Sequence, residues 1–141
     1  MSKTYSCILI GLEVVTVEIE TAVGAGFSGL TILGLKADQT RDMRERVRAA
    51  LEHAGISIPA KRVTVNISVP EMFKLSRTPV TELDFAVAAS VVKALFFDQG
   101  IKLPKRGLEY MAGELSLSGS IKPVSNQLIY ERIILQLKAL D

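Results

Sequence analysis

The sequence predicts an α+β domain, an α/β sandwich in which helices cover one face of a β-sheet. Two consecutive segments support this prediction. Within residues 38–55, apolar side chains recur at the spacing of a single helix face. Within residues 62–69, apolar and polar side chains alternate, as in a strand with one buried face. Because each segment has only one apolar side, we expect the helix to pack on the strand.

The predicted helix begins at Asp38 and ends at Gly55. The Asp38 carboxylate can accept a hydrogen bond from a backbone N–H of the first turn, as N-cap side chains do. A glycine at position 55 can adopt the left-handed conformation that often terminates a helix. The face that we expect to be buried consists of Met43, Val47, Ala50, Leu51 and Ala54.

Three strands are predicted before this helix, at residues 4–12, 14–22 and 30–33, because these segments are rich in Ile, Val and Thr. The link over residues 11–13 is short, so the first two strands should form a hairpin or a bent ribbon. Residues 24–29 match the spacing G-x-G-x-x-G. That motif binds a dinucleotide only where its glycines open a helix, whereas a strand-like segment follows here. A turn between two strands is therefore the interpretation.

The segment after residue 69 contains turn formers without a period, which predicts an exposed loop as far as Thr81. Thr81 is predicted to cap a second helix, with Asp84 at its third position. Residues 83–97 are apolar on almost every side, which indicates a helix buried between layers.

The last third of the chain predicts a strand, a turn and a helix. Residues 108–117 are strand-like, and residues 118–120 form a turn that reverses the chain. Residues 127–140 are helix-like and apolar over most of the circumference. We expect such a helix to pack on this domain, on a second copy or on a continuation of the chain.

Composition indicates a globular domain, with 48% hydrophobic and 23% charged residues among 141. The formal charge is only +2, so nucleic-acid binding would require a local basic patch. Cys7, the single cysteine, is predicted to be a buried thiol, and it excludes an intrachain disulfide. No apolar run approaches the length that crosses a bilayer, and a cytoplasmic location without membrane contact is expected.

Three arginines on the predicted helix form the candidate contact surface. Arg41, Arg44 and Arg48 have i, i+3, i+7 spacing, so they form one stripe away from the apolar face. One hypothesis is that this stripe contacts nucleic-acid phosphates or an acidic partner. Lys61 and Arg62 would then extend the basic surface.

An ordinary solvated helix surface is the alternative. Asp42 with Arg46, and Arg41 with Glu45, have the i, i+4 spacing of ion pairs along a helix. Exposed pairs of this kind are common and contribute little. The sequence leaves both hypotheses open.

Other polar residues receive structural interpretations. His53 has no second histidine and no cysteine nearby, so no metal site is predicted there. Helix capping is the interpretation for Glu82 and Asp84. Glu114 stands in an apolar strand and requires a partner, for which a structural ion pair is the expectation. No G-x-x-x-x-G-K-[ST] motif occurs, so no phosphate-binding loop of that type is present.

Several separated strings occur together in a known family. They are GL at residues 34–35, RERVRAAL at 44–51, VTVN at 63–66 and GELSLSGSIKPV at 113–124. These strings resemble the N-terminal domain of the magnesium-chelatase-like AAA+ ATPases, the ComM/YifB group. LDFAVA at residues 83–88 is similar to that family's FDLPIA segment. The similarity extends over nearly the whole chain as far as Val124.

The resemblance implies a fold like domain 2 of ribosomal protein S5, which the Lon protease domain shares. It implies an accessory domain over residues 1–125 ahead of a hexameric ATPase, with residues 126–141 as its last helix or as the start of a linker. In that group the best understood role is DNA branch migration during natural transformation. The implied partners are DNA, an ATPase module of the same chain and further copies of the protein. ATP and magnesium would belong to the ATPase module, so no cofactor is expected here.

The likeness to Lon raises the alternative of a Ser–Lys hydrolase. Such a dyad requires a lysine that activates the serine. Leu128 occupies the position that matches this lysine, and Leu83 and Asp84 occupy the region where the serine would be needed. We therefore expect no peptidase activity, which a loss of turnover on changing Ser90 or Ser76 would contradict. A purely structural oligomerisation module is a further alternative.

Overall fold

The computed structural model describes residues 1–10, 13–71, 73, 78–101 and 110–122. Within these residues the chain has six strands and two α-helices. In chain order they are β1 (Ser2–Ile10), β2 (Glu13–Gly24), β3 (Gly29–Leu33), α1 (Ala37–His53), β4 (Arg62–Ser68), α2 (Asp84–Asp98), β5 (Glu114–Leu115) and β6 (Ile121–Lys122). The mixed content of strands and helices confirms the predicted α+β class.

The first four strands form one sheet in the order β1-β2-β4-β3. β1 and β2 pair antiparallel, which confirms the predicted hairpin, and β2 also pairs antiparallel with β4. β3 and β4 are parallel, so a crossover must connect them, and α1 is that crossover. Residues 24–29 link β2 to β3, as the interpretation of a turn requires.

Both helices cover the same face of the sheet. α1 packs near β3, whereas α2 lies over β1 and β2 and also contacts α1 and β5. Strand alternation turns one side of every strand towards these helices. The core that results includes Ile8, Val17, Ile19, Met43, Val47, Val63, Val65, Ile67, Leu83, Val87 and Val91, each of which is at most 2% exposed.

Hydroxyl groups of the sheet hold α2 in place. Thr4 Oγ1 on β1 donates a hydrogen bond to the carbonyl of Ala86 at 2.7 Å. Ser2 Oγ donates to the carbonyl of Ser90 at 2.6 Å, and Thr21 Oγ1 lies 2.8 Å from Ser90 Oγ. Because buried hydroxyls are costly without partners, these bonds explain how serine and threonine fit into an apolar interface. The predicted burial of this helix is confirmed.

Gly34 makes the passage from β3 to α1 sterically feasible. Its φ is +107°, in a region that L side chains rarely adopt, and a Cβ atom there would overlap the carbonyl oxygen of Ile67 on β4. A glycine is therefore required where the chain leaves the sheet beside its parallel neighbour.

The prediction that Asp38 is the N-cap of α1 was wrong. The helix begins at Ala37, and Lys36 is the capping residue. Gln39 Oε1 accepts a hydrogen bond from the Lys36 N–H at 3.1 Å, while Asp38 lies in the first turn. At the other end Gly55 has φ +81°, which confirms the predicted left-handed terminator.

The predicted start of α2 was also wrong. Residues Val80–Leu83 form a 3₁₀ turn, so Thr81 is not an N-cap, and Asp84 is the first residue of α2 rather than its third. The preceding loop was predicted to be exposed, but Thr78 is 8% exposed. Its Oγ1 accepts a hydrogen bond from the Leu9 N–H at 2.8 Å, so this residue packs against β1.

The strand predicted over residues 108–117 is much shorter in its described part. Tyr110 forms one parallel bridge with Tyr5, and only Glu114–Leu115 pair as a strand, β5. The turn and return are confirmed, because β5 pairs antiparallel with β6. The predicted terminal helix at residues 127–140, and the whole of residues 126–141, lie outside the described residues. In the described part of the chain, no helix is long and apolar enough to cross a membrane.

Candidate nucleic-acid interface

The arginine stripe lies on the outer surface of α1. Its backbone positions follow from the helical period, since Met43 and Val47 on the opposite side are fully buried. The side chain of Arg41 is 64% exposed and that of Arg48 is 38% exposed. The structure therefore brings Arg41, Arg44 and Arg48 onto one helix surface, as their spacing indicates.

The ion pairs of this surface differ from the expected ones. Arg41 Nε lies 3.3 Å from Asp42 Oδ1, and Arg48 Nη1 lies 3.8 Å from Glu45 Oε1. Arg44 contacts no carboxylate among the described residues. The expected pairs of Arg41 with Glu45 and of Asp42 with Arg46 are wrong, because each longer side chain meets a nearer or more buried partner.

Lys61 and Arg62 are not continuous with this stripe. Lys61 Nζ lies 2.6 Å from Asp98 Oδ2 at the end of α2. Arg62 begins β4, and the next residue, Val63, is fully buried against the helices. Since successive side chains of a strand point to opposite faces, Arg62 points to the face away from α1. The five predicted contact residues therefore occupy separate surfaces.

Arg46 has a different function from the other arginines of α1. Its Nε donates to Asp84 Oδ2 at 2.7 Å and its Nη2 donates to Oδ1 at 3.0 Å. The Leu115 N–H also donates to Oδ2, at 3.2 Å. The Asp84 side chain is fully buried and that of Arg46 is 20% exposed. The capping interpretation of Asp84 is wrong, because this carboxylate joins α1, α2 and β5.

Burial and hydrogen bonding have opposite effects on this pair. Burial is the larger effect on Asp84 and raises the pKa of its carboxyl above the ordinary value, although the bonds from Arg46 and Leu115 offset part of the increase. The hydrogen bond to Asp84 raises the pKa of Arg46. Glu114 contacts Lys122 at 3.9 Å, which confirms the expected ion pair. The bonds of Asp84 to Arg46 and to the Leu115 N–H form a structural clamp that joins α1, α2 and β5.

Two nucleophilic side chains, Ser90 and Cys7, are buried. Ser90 is fully buried and bonded to the hydroxyls of Ser2 and Thr21. Cys7 is 2% exposed, and burial raises the pKa of its thiol to about 11, as expected of an inert cysteine. Ser76 lies outside the described residues. No three His, Cys, Asp or Glu side chains of the described part are placed to hold a metal ion.

An open groove of about 500 Å³ lies beside the start of α1. Its lining is mixed, with the apolar side chains of Leu35, Phe73 and Val80 next to the polar ones of Lys36 and Gln39. The sequence did not indicate this groove, because its walls come from segments far apart in the chain.

Sequence reasoning also missed an exposed aromatic residue. Phe27 is 98% exposed, in the loop between β2 and β3. The side chain of Arg62 approaches the same loop, since a Cβ atom on Gly26 would lie 3.4 Å from Arg62 Cδ. A signal was present in the sequence, because glycine and serine flank Phe27 and cannot cover its ring.

Comparison with known proteins identifies the family. The model of the ChlI family, described as subunit ChlI of Mg-chelatase, matches residues 19–138. The chain is a member of the ChlI family. The competence protein ComM of Haemophilus influenzae is a relative with 31% identity over 124 residues, which is 88% of this chain and 23% of ComM.

Two further relatives agree with this assignment. An uncharacterized protein of Mycobacterium tuberculosis is 33% identical over 126 residues, and the uncharacterized protein YifB of Escherichia coli is 25% identical over 124 residues. Each match covers 88% of this chain and 23% of the relative. The resemblance to the ComM/YifB group is confirmed, and this ChlI-family chain spans about a quarter of the length of these relatives.

Proposed function

We propose that this chain is a non-catalytic accessory module of a ComM-type AAA+ ATPase and that it acts by binding in DNA processing. The observation that carries the proposal is the ChlI-family match over residues 19–138, in a chain that spans 23% of ComM. In such a protein, ATP and magnesium would bind elsewhere. We also propose the fold of domain 2 of ribosomal protein S5 and of the Lon protease domain, which a sheet with one parallel β3-α1-β4 crossover suits.

The burial of Asp84 and Ser90 supports a non-catalytic function. The Asp84 carboxylate already accepts three hydrogen bonds. Ser90 is bonded to other hydroxyls inside the core. The Lon-like alternative predicts peptide turnover that is lost in Ser90→Ala or Ser76→Ala, whereas our proposal predicts no turnover by the unmodified chain.

The arginine stripe on α1 is the contact surface of this proposal. Arg44 has no carboxylate partner in the described part, and the exposed pairs of Arg41 and Arg48 are of the weak kind. A phosphate can therefore replace Asp42 and Glu45 as partners at small cost. α1 as a whole carries four arginines and four carboxylates, so binding would depend on the geometry of the stripe rather than on net charge.

Fluorescence anisotropy with labelled single-stranded and duplex DNA tests the proposal, over about 50 to 200 mM salt. Replacing Arg41, Arg44 and Arg48 by alanine together should lower the affinity. If all three contact phosphates of a duplex, the slope of log K against log salt should become shallower by about 3. The control replaces Lys36, Lys93 and Lys122 by alanine, which removes the same charge outside the stripe and leaves Lys3 paired with Glu18 and Glu20. Equal losses in both triple variants would remove the stripe from the proposal.

Assembly is the second candidate function, and exposed apolar residues favour it. Leu117 and Ile121 beside the β5–β6 turn are 64% and 51% exposed, and Leu33 at the end of β3 is 48% exposed. Light scattering at micromolar concentration measures the oligomeric state. A chain that binds no DNA at low salt but forms a defined oligomer would favour assembly over DNA contact.

A further inference from the structure

The loop between β2 and β3 presents an aromatic ring without cover. Phe27 is 98% exposed, and its neighbours at residues 24–26 and 28–29 are all Gly, Ala or Ser. Gly26 and Gly29 have φ values of +142° and +149°, which L side chains rarely adopt. The shape of the loop therefore depends on its glycines and not on packing of the phenyl ring.

A cation lies at the base of this loop. Arg62 is the register partner of both Gly24 on β2 and Gly29 on β3. Its aliphatic carbons approach Gly26 closely, as the 3.4 Å from a Cβ built there to Arg62 Cδ indicates. Arg62 contacts no carboxylate among the described residues, so its guanidinium group is available to an anion beside the ring.

The row of the sheet immediately next to Arg62 is uncharged and consists of Ala22, Thr64 and Thr31. Strand alternation places Thr64 and Asn66 of β4 on the same face as Arg62. Thr31 of β3 is the register partner of Thr64 and shares this face. The carboxylates of Glu18 and Glu20 lie on the β2 part of the face, where Lys3 Nζ is within 3.1 Å and 3.6 Å of them. A nucleic-acid backbone that leaves Arg62 along β4 and β3 therefore meets the hydroxyls of Thr64 and Thr31 before it reaches Glu20, the register partner of Asn66.

We propose that Phe27 stacks on a base of single-stranded nucleic acid and that Arg62 binds the adjacent phosphate. A peptide side chain would need a pocket, which the small residues around Phe27 do not form, whereas a flat base needs only a flat ring. Duplex DNA covers its base faces by stacking and cannot use this site. This inference rests on the proposed DNA contact. It specifies single-stranded nucleic acid, which would bind a surface separate from the α1 stripe.

The absence of tryptophan from the chain allows a direct test. The Phe27→Trp variant contains a single tryptophan, and its emission should be quenched on titration with an unlabelled single-stranded oligonucleotide. Its affinity should equal or exceed that of the original chain. The matched control is Phe97→Trp, because Phe97 is also exposed, at 69%, but lies at the end of α2. Its emission should stay unchanged at saturation.

Affinity measurements separate stacking from general hydrophobic contact. Phe27→Ala and Phe27→Leu should both weaken single-strand binding by about fivefold or more without changing duplex binding, whereas Phe97→Ala should leave both unchanged. Arg62→Gln should reduce the single-strand salt slope by about 0.7, and Arg62→Lys should retain it.

The outcomes distinguish this inference from the proposed function. Single-strand binding that survives Phe27→Ala, with no quenching in Phe27→Trp, would overturn the inference and leave the proposed DNA contact intact. No binding of any DNA by the original chain at low salt would overturn the DNA contact itself, and the stacking site with it. A variant that weakens duplex and single strand equally would also contradict stacking.

Discussion

An ion pair lies at each end of α2, and the two pairs have almost the same length. At the first residue, Asp84 Oδ2 lies 2.7 Å from Arg46 Nε. At the last residue, Asp98 Oδ2 lies 2.6 Å from Lys61 Nζ. The surroundings differ, because the side chains of the first pair are 0% and 20% exposed and those of the second are 29% and 48% exposed.

Burial, not distance, decides what each pair contributes to stability. A fully buried carboxylate without a partner is strongly unfavourable, so Asp84 makes Arg46 and the Leu115 N–H indispensable. An exposed pair exchanges its bonds for water at little cost. The helix dipole adds to the difference, since it favours a carboxylate at the N-terminus and disfavours one at the C-terminus. The N-terminal pair therefore fixes the fold, whereas the C-terminal pair contributes little to it.

Arg46→Ala should cause the largest loss, about 3–5 kcal/mol in the free energy of unfolding, because it leaves Asp84 buried without its cation. Urea denaturation measures this loss. Asp42→Ala is the control, since the pair with Arg41 is exposed, and we expect a change below about 0.5 kcal/mol. Asp84→Ala should cost less than Arg46→Ala, because the remaining guanidinium group is 20% exposed and can turn towards water.

The same variant should show a pH dependence of defined sign. Burial raises the pKa of Asp84, and without Arg46 the opposing effect is weaker, so the folded variant favours the protonated carboxyl. A raised pKa gives stability that is present at pH values below the unfolded pKa and is lost as pH rises through the folded one. The deficit of Arg46→Ala should therefore shrink as the pH falls towards about 4. A deficit that is constant with pH would contradict the clamp.

Replacing both partners should restore much of the lost stability. In Arg46→Met/Asp84→Leu neither charge of the buried pair remains, and apolar replacements of a buried pair are often neutral or better. The Leu115 N–H loses its acceptor, which costs about 1–3 kcal/mol. We expect the free energy of unfolding of the double variant to lie within about 3 kcal/mol of that of the original chain. It should also be higher than that of Arg46→Ala. A double variant as unstable as the single one would show that the pair itself, rather than the orphaned charge, matters.

Local periodicity predicted the ends of α1 to within two residues and those of β4 to within one, but it gave no information on the clamp. Asp84 and Arg46 are 38 residues apart, and local capping rules therefore assigned each a neighbour within its own helix. A usable signal existed, because a carboxylate at the start of a helix that is apolar on almost every side must be buried. A buried carboxylate requires a cation from another element.

The candidate site was predictable to a similar extent. The helical period placed Arg41, Arg44 and Arg48 together. Grouping Arg62 with them neglected the strand alternation that sends it to the opposite face from Val63. Phe27 escaped notice because periodicity describes helices and strands, whereas this ring stands in a turn whose glycines leave it uncovered.

Lys61→Ala removes the cation of the exposed pair at the other end of α2. Because the pair with Asp98 is exposed, we expect a loss of about 0.2–1 kcal/mol in the free energy of unfolding. Salt should reduce this loss further, since the Debye length falls to about 3 Å at 1 M. The loss from Arg46→Ala should persist at that salt concentration. Urea denaturation at low and high salt compares the two, and a salt-independent loss in Lys61→Ala would place this pair in the same class as the buried one.

Asp98→Asn should have the smallest effect, because two contributions nearly cancel. The variant loses the contact with Lys61, which is a weak exposed pair. It also removes a negative charge from the C-terminal end of α2, where the helix dipole makes a carboxylate unfavourable by about 0.3–1 kcal/mol. We therefore expect a change within about 0.5 kcal/mol in urea denaturation, and a smaller loss than Lys61→Ala, which leaves Asp98 charged and unpaired at that end. A loss above about 1 kcal/mol would mean that Lys61 and Asp98 anchor α2 despite their exposure, and burial would then not be what separates the two ends.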